Sequence, residues 1–154
     1  MKITGIRTHI VMPIDTLAWV FVEVDTDEGL SGLGECTEYI GNPHLVRGLE
    51  AIKPLVIGTD PRHIEEIWQR LFHAYSSLNG RGYISHLISA IDIALWDLRG
   101  KMLGVPIYDL LGGPVRDSVP LYTHVRDQWH SDDLNGMVSQ AKQVKEAGLS
   151  GDKD

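Results

Sequence analysis

Apolar and polar positions change their period twice along this chain of 154 residues. Residues 2–12 mix β-branched with polar side chains, and LAWVFVEVD (17–25) is a strand-like run that stops at TDEG, a turn built on Asp27 and Gly29. LSGLGEC follows at once as a further strand. The pattern predicts a three-stranded antiparallel meander with 17–25 at its centre and Pro13 and Asp15 marking the first connection. The spacing then turns helical. Asn42 and Pro43 read as an N-cap and a first-turn proline opening a helix to about Val56, and Asp60 and Pro61 repeat that signal. In this second helix Ile64, Ile67, Trp68, Leu71, Phe72 and Tyr75 share one face, with Glu65, Glu66, Gln69 and Arg70 on the other. SLNGRG (77–82) breaks the pattern, and a third helix runs from about Tyr83 to Met102. Strands first and helices after is an α+β order.

The third helix is predicted to be nearly surrounded. Ile88, Ile91, Leu95, Leu98 and Met102 form one stripe, while Leu87, Ala90, Ile93 and Ala94 cover much of the rest. Asp92, Asp97, Arg99 and Lys101 lie among them and need partners. Asp97 and Lys101 are four apart in the favourable acid-first order, whereas Asp92 must look to another element or a backbone N–H. This reading places a structural role for these charges ahead of a catalytic one.

After Pro114 the pattern starts over. SVPLYTHV reads as a strand, and Ser131 can cap a helix over 132–147 whose Leu134, Val138, Ala141 and Val144 make an apolar stripe ended by Gly148. A strand feeding a helix is the opening of a βα repeat, but the closing GLSGDKD is poor strand material.

Composition narrows the function classes. A net charge of -7 disfavours phosphate backbones and anionic membrane surfaces, so nucleic acid and membrane are not expected partners. Cys36 is the single cysteine, which rules out an internal disulfide and a thiolate zinc cluster. The N-terminus lacks the apolar core of a signal peptide, and the longest apolar run, LAWVFV, is far short of a membrane span; a cytoplasmic location is the default. Seven histidines include no HExxH pair. GLGECT begins like a dinucleotide fingerprint without its third glycine, and reads instead as a glycine-rich strand lying close to another backbone.

Four segments carry a resemblance: MKITGIRTHIV, VEVDTDEGLSGLGE, IGTDPRHIEEIWQRL and SAIDIALWDLRGKMLGVPIYDLLGGPVRD. In order and spacing they resemble the N-terminal domain of the mandelate racemase and muconate lactonizing enzyme group of the enolase superfamily, over about residues 1–148. The pattern is most similar to the acid-sugar dehydratases, which act on aldonates such as galactonate, gluconate or mannonate. The resemblance implies an enolase-like capping domain over 1–113, a three-stranded meander followed by a helical bundle. It also implies that 114–154 begin a (β/α) barrel that is truncated here. It implies a sugar acid as substrate, abstraction of the proton α to its carboxylate by a Lys or His, and Mg²⁺ as cofactor. The family is often oligomeric, which leaves a homo-oligomer open.

Little of that chemistry is expected within these residues. Lys153 corresponds only loosely to a lysine at the end of the family's second barrel strand, and no metal ligand is expected in the chain. The chain as it stands is expected to be inactive. Its contribution is specificity: loops at about 13–18 and 37–45 correspond to those that close over substrate in the family, with Tyr39, Asn42 and His44 in the second. Asn42 is also accounted for as a helix cap. Arg81 could pair with a carboxylate or be a solvated charge, and His124 falls near the end of the first barrel strand. A racemase or cycloisomerase of the same group, or a non-catalytic binding or self-association module, are the alternatives.

Overall fold

A computed structural model describes residues 1–14, 17–37, 42–75, 82–121 and 134–148. The chain divides into two compact units, Met1–Gly113 and Pro114–Asp154. In the first, β1 (Ile3–Ile14), β2 (Leu17–Thr26) and β3 (Ser31–Glu35) form an antiparallel sheet in the order β1-β2-β3. The predicted connection at Pro13 is longer in sequence than in space: Ile14 pairs with Leu17, and a register shift between Val11 and Ile14 lets the strand run past the proline. Only residues 15 and 16 separate the strands, so the expected loop at 13–18 is largely strand.

One face of the sheet is the floor of the core, formed by Ile6, Val20, Val22 and Val24, all buried. On the other face polar residues pair across strands, as alternation requires. Arg7 donates to both oxygens of Asp25 (2.7 Å each), while His9 and Ser31 each bond Glu23 (2.9 and 2.8 Å). These bonds hold the Asp25 and Glu23 carboxyls below their ordinary pKa.

Three helices cover the floor. In α1 (Asn42–Val56), Leu45, Leu49, Ile52 and Val56 recur at three- and four-residue steps and are fully buried. The second helix, α2, spans Ile64–Ala74 and begins later than Pro61 would place it. Asp60 accepts from the Arg62 N–H (3.0 Å) and from its Nε (2.9 Å), so this carboxylate closes a turn rather than capping the helix. Ile67 and Leu71 are buried, Ile64, Trp68 and Tyr75 pack partly against the core, and Phe72 stacks on Trp68 at 4.9 Å while staying exposed.

The third helix, α3 (Tyr83–Leu103), crosses β3. Its Leu87, Ile88, Ala90, Ile91, Ala94, Leu95 and Leu98 are buried. It is not surrounded, however: Ser85, Ser89 and Ile93 form an exposed stripe four residues apart, with Ile93 43% exposed. The approach to β3 is close. A Cβ on Gly32 would stand 2.0 Å from the Ala94 carbonyl oxygen, and one on Gly34 2.0 Å from that of Ala90. This is the close backbone approach read from GLGEC. Gly104, at φ 68°, ends α3, and the Val105 N–H returns to the Gly100 carbonyl (3.0 Å). A short helix the sequence reading did not separate, α4 (Ile107–Leu110), follows.

In the second unit only the helix α5 (Leu134–Glu146) is described as regular structure, ending near Gly148 at φ 76°. Residues 118–121 are not strand, and the remainder of the expected strand, 122–125, lies outside the described residues, as does Ser131.

Candidate functional site

Where β3 ends and α3 begins, a cleft of about 370 Å³ opens. Glu35, Cys36 and Thr37 line one side, and Ser85, His86 and Ser89 the other. The strand delivers its side chains by alternation, so Glu35 is exposed and Cys36 is buried. Thr37 is fixed from two directions: the Val20 N–H donates to its hydroxyl (3.0 Å), which donates to Glu35 Oε1 (2.6 Å). Burial first, and then the charge of Glu35, pushes the Cys36 thiol up to about 11. Cys36 is therefore a neutral, enclosed thiol rather than a nucleophile. The remaining groups are hydroxyls, an imidazole and a carboxylate, which suits hydrogen bonding to a hydroxyl-rich ligand. In the sequence Cys36 stood out only as the single cysteine and GLGECT only as a glycine-rich strand, while Ser85, His86 and Ser89 carried no signal.

A second cleft, about 520 Å³, lies between the start of α2 and α3. Arg62, His63 and Glu65 line it from one side, and Asp92, Trp96 and Arg99 from the other. Asp92 was expected to need a partner, yet no hydrogen bond reaches it among the described residues. Burial, and secondarily the charge of Glu65, raises its carboxyl above the ordinary value.

Asp97 and Lys101 do pair, at 2.7 Å. They also reach the backbone of β3, where Asp97 accepts from the Leu33 N–H (2.8 Å) and Lys101 donates to the Ser31 carbonyl (2.9 Å). Their structural role is visible in these bonds.

Of the residues proposed for substrate, His44 is exposed in the first turn of α1. Asn42 opens that helix, but its side chain lies outside the described residues, as do Tyr39, Arg81, His124 and Lys153. Thr37, in the first cleft, is the last described residue before Tyr39, and Gly82 the first after Arg81. Among the described residues no group of three or more His, Cys, Asp or Glu side chains could hold a metal ion. These described side chains therefore do not form a Mg²⁺ site. No helix among the described residues is long and apolar enough to cross a membrane.

Comparison with known proteins fits this architecture. Residues 6–112 match the family model described as mandelate racemase / muconate lactonizing enzyme, N-terminal domain. A D-galactonate dehydratase from Verminephrobacter eiseniae is 39% identical over 138 residues, 89% of this chain and 35% of that protein. Among solved structures, a member of the enolase superfamily from Salmonella Typhimurium superposes with a TM-score of 0.81 at 31% identity, over 96% of this chain and 40% of that one. An enolase from Agrobacterium radiobacter, solved with bound sodium and L-malate, gives a TM-score of 0.80 at 32% identity, over 95% and 36%. The chain thus spans about a third of the length of the curated relatives it matches. A glycine-bared β3 under α3, a meander leading into a helical bundle, and the match over 6–112 converge: the chain belongs to the mandelate racemase / muconate lactonizing enzyme group of the enolase superfamily, of which it carries the N-terminal domain.

Proposed function

We propose that these residues are the N-terminal, substrate-covering part of an acid-sugar dehydratase acting on an aldonate of the galactonate type. The observation that carries the reading is the 39% identity to a D-galactonate dehydratase across 89% of the chain. In such a reaction a base removes the proton α to the carboxylate, and the neighbouring hydroxyl leaves as water. Mg²⁺, the cofactor this reading implies, would neutralise the negative charge that builds on the substrate when the proton departs.

Within this chain the work is recognition. The cleft at the end of β3 offers Glu35, Thr37, Ser85 and His86, and the segments bearing Tyr39 and Arg81 adjoin it in sequence. Residues 114–154 then form the start of a (β/α) barrel, the domain that holds the chemistry in this reading. Support comes from uncovered apolar side chains in this unit, with Val115 95%, Val119 71% and Val138 54% exposed. Val138 lies on α5, and such uncovered apolar surface is what a barrel helix turns toward neighbours.

A chimera tests the reading. Residues 1–113 would replace the matching segment of the Verminephrobacter D-galactonate dehydratase, and the folded product would be assayed with Mg²⁺ on galactonate, gluconate and mannonate. Dehydration with galactonate preferred is expected; a folded chimera that prefers another acid, or racemises instead, would overturn it. The 154-residue chain alone is expected to dehydrate none of them.

A further inference from the structure

Among the described residues of Met1–Gly113, no strand pairs with the outer side of β3, the last strand of the sheet. Val24 pairs with Gly32 and Val22 with Gly34 across β2 and β3, while the Thr26 N–H donates to the Leu30 carbonyl and the Cys36 N–H to the Val20 carbonyl. Even-numbered residues of this stretch therefore face β2, and alternation leaves Ser31, Leu33 and Glu35 with N–H and C=O groups directed out of the sheet. Such an edge is a template for another chain. At the start of the opposite edge backbone supplies cover: the Ile3 N–H donates to the Thr59 carbonyl (2.9 Å) and the Gly58 N–H to the Ile3 carbonyl (2.8 Å).

At β3 the cover comes from two side chains of α3. The Leu33 N–H donates to Asp97 (2.8 Å), Lys101 donates to the Ser31 carbonyl (2.9 Å), and the two charges pair at 2.7 Å. In a parallel ladder one residue of the neighbouring strand fills both places, its N–H donating to the carbonyl on one side of the facing residue and its carbonyl accepting from the N–H on the other. Around Gly32, the Lys101 ammonium and the Asp97 carboxylate occupy those two positions. The glycine-bared contact of α3 with β3 brings them within reach. As an exposed ion pair they contribute little through Coulomb attraction, so their effect rests on the backbone groups they satisfy.

We propose that the Asp97–Lys101 pair stands in for a fourth strand and keeps the β3 edge closed to a second copy of this chain. A second copy is the occupant that the bare edge fits, because β3 is its own antiparallel complement. Pairing two copies about Leu33 sets Leu33 opposite Leu33 and Ser31 opposite Glu35, so apolar meets apolar, hydroxyl meets carboxylate, and no acid faces an acid. Leu33, 46% exposed, is then covered. This proposal is independent of the enzymatic reading.

Amide hydrogen exchange and sedimentation on the full chain test it. Leu33 and Glu35 amides leave the same edge, but among the described residues only Leu33 has a side-chain acceptor. In the unaltered chain the Leu33 amide is expected to exchange at least tenfold more slowly than that of Glu35, and Asp97→Ala to remove the difference. Equal rates in the unaltered chain overturn the capping role, whatever the variants do. The double variant Asp97→Ala/Lys101→Ala is expected to form a concentration-dependent dimer beyond whatever the parent forms, while Glu50→Ala/Lys53→Ala, which removes an exposed pair on α1, sediments as the parent. Adding Leu33→Pro to the double variant removes the central N–H at a position where an edge strand tolerates proline, and is expected to abolish the dimer. Parent-like sedimentation of the folded double variant, or a dimer that survives Leu33→Pro, overturns the proposal. If the double variant does not fold, Asp97→Ala alone, which frees the centre of the antiparallel pair, carries the sedimentation arm with the same outcomes.

Discussion

Asp92 is half-buried in the cleft between α2 and α3, with Arg62 and Arg99 lining the same space but neither bonded to it. Burial raises its carboxyl above the ordinary value, so the ionised form is less welcome in the folded than in the unfolded chain. The sign follows: stability is lost as pH rises through the raised pKa and recovered as pH falls toward the ordinary carboxylate value near 4. Asp92→Asn is expected to raise Tm at pH 7, with the gain shrinking as pH approaches 4. Thermal melts at both pH values decide this, and an unchanged or lower Tm at pH 7 would refute it. Asp25 and Glu23 behave oppositely, since Arg7, His9 and Ser31 hold their carboxyls low. Their contribution is present above pH 4 and lost below it. Sequence spacing identified the Asp97–Lys101 pair because both partners sit on one helix. It could not tell the environment of Asp92, which depends on how α2 lies beside α3.

At the scale of elements, the contact of α3 with β3 sets the spacing of the two layers. Gly32 and Gly34 are needed there for lack of a side chain, not for backbone freedom, since neither has a positive φ. A Cβ on Gly34 would meet the Ala90 backbone, which cannot step aside without moving α3. Gly34→Ala is expected to cost about 3 kcal/mol, at the upper end of overpacking, and to lower Tm by roughly 10–20 °C. Gly29→Ala is the contrast: its φ is 81° with nothing within 4 Å, so only local strain of about 1 kcal/mol is expected. Equal losses by calorimetry would show that the close approach is not limiting. Helix boundaries were legible from capping residues and the 3.6-residue period, and α1 ends at Val56 as read. Asp60 and Pro61 misled because the same Asp-Pro signal serves a turn when a nearby arginine takes the carboxylate.

For the whole molecule, the buried core among the described residues lies in Met1–Gly113, where each of Ile3, Leu45, Ile67, Leu87, Ile91 and Leu98 is fully buried. Residues 1–113 expressed alone are therefore expected to melt cooperatively, with a Tm within a few degrees of the full chain, roughly the effect of 1 kcal/mol or less. Loss of a cooperative transition by circular dichroism would show that the second unit is required for folding. The family, the order of three strands followed by α1, α2 and α3, and their core-facing stripes follow from the sequence by itself, because residue periodicity and turn chemistry are local properties. Three features were decided only by the tertiary structure. Ile93 and Phe72 stay exposed although their helical faces point inward on paper: Ile93 lines the cleft at the end of β3, and Phe72 stacks on Trp68. Asp92 lacks a described partner in its cleft. Asp97 and Lys101 meet the backbone of a strand more than sixty residues away in sequence, a contact fixed by packing that no local spacing encodes.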